Sequence, residues 1–107
     1  MYQIMIVDLE VENFEYYGNV ASPYCPDNYV VESAYRIDTV DDAGQLHMGD
    51  VFSIRFNSKA EFLEDNAGPH RWFSIPEHCT MIVAHNSSFE VSWFLSYQRK
   101  HFEDFLK

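Results

Sequence analysis

Carboxylates stand in pointed positions at two places in this sequence. The first is Val7-Asp8-Leu9-Glu10, directly behind the apolar run Gln3–Val7. If that run is a strand, residues two apart share a side, so Asp8 and Glu10 converge. Paired carboxylates of this kind suit hard divalent cations such as Mg²⁺ or Mn²⁺, which prefer oxygen ligands. The end of a buried strand is also where sites in open α/β sheets form. Taken alone, an acid-x-acid pair is most often solvated surface. The second place is Ile82-Val83-Ala84-His85-Asn86-Ser87-Ser88-Phe89-Glu90, a strand end running into a helix start. Asn86 has the side chain to hold backbone or sugar groups in such a turn. Glu90 falls in the first helical turn, where the helix dipole favours an acid whatever its function.

The elements that must position these residues follow from periodicity. Gln3–Val7 has the length and β-branched content of a buried central strand. Glu12–Asn28, with Gly18, Pro23 and Pro26, reads as a long loop partly ordered by Tyr16, Tyr17 and Tyr24. Tyr29–Ile37 is a strand with Tyr29, Val31 and Tyr35 on one parity. Asp41-Asp42-Ala43-Gly44 turns the chain into a further strand over His47–Phe56, giving an antiparallel hairpin. Ser58, with Glu61 three residues on, opens a helix that Asn66–Pro69 ends. Thr80–Ala84 is another buried strand, reached by a helical crossover as a parallel neighbour is. Ser87 or Ser88 caps a last helix with Phe89, Trp93, Phe94 and Tyr97 on one face, continuing through His101 and Phe105 to Lys107. The expected fold is α/β, a mixed sheet in the order β-β-β-α-β-α within one domain over residues 1–107. Such a sheet wants one more strand and helix on its open side.

The two carboxylate segments, in this order and context, resemble the first two motifs of DEDD-type 3′–5′ proofreading exonuclease domains of phage-like family A DNA polymerases. The first motif, Asp-x-Glu on the first strand, is matched by Asp8 and Glu10. The second, Asn-x-x-(Phe or Tyr)-Asp, is matched from Asn86 through Phe89, and the resemblance covers Ile4 to about Tyr97. It implies a ribonuclease-H-like sheet and two-metal hydrolysis of 3′-terminal DNA phosphodiesters with Mg²⁺ or Mn²⁺. It also implies roles for residues. Asp8 would bridge both metals, Glu10 would bind one and contact the terminal 3′ hydroxyl, and Glu90 would hold the second through a water. Phe14, Asn86 and Phe89 would meet the single-stranded 3′ end. Three positions depart from the pattern: Glu90 replaces Asp, Val11 replaces a frequent Thr, and Phe14 replaces another apolar wedge. The third motif is absent, since no Tyr has an Asp four residues later and no His has one five later. The expectation is therefore the front portion of such a domain, weak or inactive alone, completed by the remainder of an exonuclease or polymerase chain and prone to self-association.

Composition limits the alternatives. Apolar residues make up 47% of the chain, with nine Phe, seven Tyr and two Trp, enough for a packed core and against disorder. Two cysteines are too few for a disulfide framework, and the N-terminus lacks the basic region of a signal peptide, so a cytoplasmic protein with no membrane association is expected. Seventeen acids against seven Lys and Arg give a net charge of −10, which repels a phosphate backbone unless bound cations intervene. That charge suits a second class of function, a small acidic mimic of DNA that occupies a nucleic-acid-binding cleft. A third is an accessory subunit that completes another chain's site. Cys25, His78, Cys79 and His85 fit no recognised zinc spacing. The aromatics of the last helix read as core, Arg71-Trp72 as a turn with a packed Trp.

Overall fold

The computed structural model describes residues 1–107. In chain order it forms β1 (Tyr2–Val11), β2 (Glu15–Tyr16), β3 (Asn19–Val20), β4 (Val30–Val40), β5 (Leu46–His47), β6 (Val51–Arg55), α1 (Lys59–Ala67), β7 (Cys79–Ala84), α2 (Ser87–Tyr97) and α3 (Arg99–Leu106). The protein is mixed α/β. β1 lies in the interior of the main sheet, antiparallel to β4 and parallel to β7, while β5 and β6 pair with the far side of β4. β2 and β3 form a separate two-residue hairpin. No helix is long and apolar enough to cross a membrane.

Strand parity decides which face is covered. Met5, Val7 and Leu9 stand opposite Ile37, Tyr35 and Ser33 of β4, and Met5 and Val7 also stand opposite Ile82 and Ala84 of β7. These residues line one face, and Phe62 of α1, Trp93 and Phe94 of α2 and Phe102 of α3 join Met5, Val7 and Leu9 in a single buried cluster. Trp72 and Phe73, in the connection after α1, lie at its centre, with Phe73 stacked on Phe94 at 3.8 Å. The opposite face carries Ile4, Ile6, Asp8 and Glu10 of β1 beside Met81 and Val83 of β7, which are 52% and 42% exposed. No helix covers it.

Several elements differ from the sequence expectation for local reasons. The third strand is split into β5 and β6 by Met48-Gly49-Asp50, where a Cβ on Gly49 would lie 2.1 Å from the Ile37 carbonyl oxygen. Only glycine lets the chain pass so close. β4 begins with Val30 rather than Val31 turned inward, because the β1–β4 register slips between Glu10 and Val11. The expected last helix breaks at Gln98, whose backbone leaves the helical region and whose Nε2 donates to the Asn66 carbonyl at 2.8 Å and to Asn66 Oδ1 at 2.7 Å. α2 is entered through Asn86, which makes no side-chain cap bond, in place of Ser87 or Ser88. The cap of α1 is as read: Ser58 Oγ accepts from the Glu61 backbone N–H at 3.2 Å, and Glu61 in turn accepts from the Asn57 N–H at 2.8 Å.

Candidate functional site

β1 extends past the end of β7. Their pairing ends at Val7 opposite Ala84, and the chain then turns through His85 and Asn86 into α2. The Gln3 N–H donates to the His78 carbonyl at 2.9 Å, so odd-numbered N–H groups of β1 face the β7 side. Leu9 therefore points its N–H into the space beyond β7, where no strand partner exists. Glu90, on the first turn of α2, fills that space.

Glu90 is 2% exposed. Burial pushes its carboxyl pKa upward, the neighbouring charge of Asp8 pushes it further, and the N–H groups of Glu90 itself and of Leu9, with His85, pull it back. Its Oε2 has no hydrogen-bond partner, and one turn on, Trp93 Nε1 is the other buried side-chain atom without one. An unpaired buried carboxylate oxygen is costly. Asp8 and Glu10 are both exposed, on the uncovered face of β1. The fold thus brings Asp8 and Glu90 within electrostatic reach, from opposite sides of one strand end. It does not gather the three acids, for no three His, Cys, Asp or Glu side chains are arranged to hold a metal ion.

The donor chemistry nonetheless suits a hard divalent cation: all-oxygen ligands, one of them buried and unpartnered, beside a second negative charge. Burial is the main cause of the raised Glu90 pKa, and the negative charge of Asp8 adds to it. Asp8, Glu10 and Glu90 are the residues that would hold such an ion.

The other expected contact residues fall into two groups. Asn86 is exposed at the start of α2, and Phe14 is 54% exposed. Phe89 is half-buried against the core, so its ring serves packing at least in part. One residue that sequence reasoning passed over holds Phe14 in place. Asn28, fully buried, accepts from the Phe14 N–H at 2.9 Å and donates to the Phe14 and Ser22 carbonyls at 3.0 Å each. An Asn closing a loop rich in Gly and Pro was the available signal. Asp65 plays a similar part after α1, accepting from Arg71 Nε at 2.9 Å and the Trp72 N–H at 3.1 Å. Compared with known proteins, the chain matches no protein-family model and no curated protein.

Proposed function

We propose that this chain is a segment of a DEDD-type 3′–5′ exonuclease domain, built on a ribonuclease-H-like sheet and carrying its first two motifs. The observation that carries the reading is that Asp8 and Glu90, from segments far apart in sequence, come within electrostatic reach at one end of the parallel β1–β7 pair. The strand order supports it, with the three antiparallel strands β6, β4 and β1 followed by the parallel β7. Bound Mg²⁺ or Mn²⁺ would supply an activated water and neutralise charge on the phosphodiester. The chain's own part is to hold ions and substrate. Asp8 would supply a carboxylate to the ions, Glu10, on the same face, would contact the terminal 3′ hydroxyl, and Glu90 would supply a carboxylate from α2. Phe14 and Asn86, both exposed, would meet the single-stranded 3′ end.

Calorimetry with Mn²⁺ tests the reading. Weak binding that is lost in Asp8→Ala supports it, and identical titration curves for the two proteins overturn it.

A second reading, the acidic DNA mimic, is favoured by one observation. Six of the seven Lys and Arg side chains are paired with carboxylates, leaving the unpaired charge almost wholly negative. A mimic would bind a basic nucleic-acid-binding protein with strong salt dependence and without regard to Asp8.

A further inference from the structure

Two histidines face each other where α3 meets the connection between α1 and β7. Their ring centroids are 5.0 Å apart, and the His101 ring also meets Phe73 edge-on at 5.7 Å. Their hydrogen bonds dictate different protonation behaviour. His70 Nδ1 lies 3.1 Å from the Phe73 carbonyl, which only accepts, so Nδ1 must carry a proton. His70 can gain a second proton at Nε2 without losing that bond. His101 is the reverse case. The Ile75 backbone N–H donates to His101 Nε2 at 3.2 Å, so Nε2 must keep its lone pair and the ring must be neutral, with its proton on Nδ1. An imidazolium at His101 would set one donor against another.

From this geometry we infer that His101 and His70 form an acid-sensitive latch, which ties α3 to the Phe73–Ile75 segment at neutral pH and releases it on acidification. A charge on His70 opposes a charge on His101, whose ring lies 5.0 Å away. When His101 protonates, the Ile75 bond is lost. The surrounding groups set the balance. Glu77 and Cys79, from the approach to β7 and from β7 itself, line the same 280 Å³ cleft as His101. Asp104, one turn along α3, favours the charged ring but is itself engaged by Lys100 and Lys107. Burial and His70 outweigh Asp104, holding the His101 pKa below the ordinary histidine value. The latch matters because Phe73 sits beneath it, in contact with Phe94 and Phe102. Its opening loosens α3 from the core while leaving the β1–β7 strand ends in place.

Imidazole ¹⁵N NMR on the intact chain tests this. At neutral pH His101 should be the Nδ1–H tautomer. On acidification it should titrate below the ordinary histidine value, and the Ile75 amide and Phe102 ring signals should shift with the His101 midpoint. His101→Gln retains an acceptor for Ile75 without a titrating group and should abolish that transition. His70→Asn retains a donor to Phe73, removes the opposing charge, and should raise the His101 midpoint. An Nε2–H tautomer at His101, an Ile75 amide indifferent to the His101 midpoint, or an unchanged transition in His101→Gln would each overturn the latch. If His101→Gln does not fold, the wild-type tautomer and the Ile75 shift decide the matter.

Discussion

A carboxylate buried on the first turn of a helix, with one oxygen unpaired, destabilises the chain that contains it unless something offsets the charge. Glu90 is that residue. Its pKa is raised on folding, so its contribution to stability is fullest below the unfolded carboxyl value and is lost as pH rises through the folded one. Glu90→Gln should therefore be more stable than wild type at neutral pH, with the difference vanishing in acid, as urea midpoints at the two pH values would show. Added Mn²⁺ should reverse the ranking, stabilising wild type and leaving the variant unmoved. The Asp-x-Glu pair was readable from types and spacing alone, because strand parity places both acids on one face. The burial of Glu90 was not, since first-turn acids are ordinarily solvated. It depends on β1 outrunning β7, which only the register reveals. Asn28 escaped notice for a related reason, its three bonds being fixed by how the loop closes. Asn28→Ala should cost about 1–3 kcal/mol, and limited proteolysis should then cut first within residues 12–28.

Elements were legible where one local signal dominated. Ser58 and Glu61 mark the start of α1 in sequence as in structure, and Ser58→Ala should lower stability by about 1 kcal/mol in chemical denaturation. Misreadings arose where a distant contact overrode the local pattern. Gln98 sits in a continuous helical periodicity, yet its two bonds to Asn66 at the end of α1 turn the chain into α3. Gly49 interrupts an apparent strand because of its closeness to Ile37. Trp72, read as a packed ring in a turn, is fully buried, and so is Phe73, which the sequence reading passed over. Phe73→Ala removes the ring stacked on Phe94 and should cost about 3–5 kcal/mol, measurable by thermal or urea unfolding.

At the scale of the molecule, all three helices bury one face of the sheet, and the other face is left with Ile4, Ile6, Met81 and Val83 beside the free edge of β7. An apolar sheet edge without charge is a template for pairing. Sedimentation of the chain at micromolar concentration should show species larger than the monomer, and Met81→Lys should shift them toward monomer with the circular dichroism unchanged. The overall topology was foreseeable, because a hairpin followed by a helical crossover leaves few ways to build a mixed sheet. Which face stays uncovered was not, since strands buried on both sides and strands with one bare apolar face read alike in sequence.

The parallel pairing of β1 with β7 also bears on the order of events in time. β1, β4 and β6 form a meander whose contacts are available early as the chain emerges. The interior place of β1 is secured only when residues 79–84 arrive, and Trp93, Phe94 and Phe102 cover its buried face later still. Loops that close over such separations are slow to form. Until they do, Met5, Val7 and Leu9 remain exposed on a half-made sheet. Synthesis of this chain thus holds its most aggregation-prone surface open longest at the strand that bears the Asp8–Glu10 pair. A ribosome-bound chain arrested before residue 79 should accordingly engage chaperones more strongly than one arrested just past Phe102.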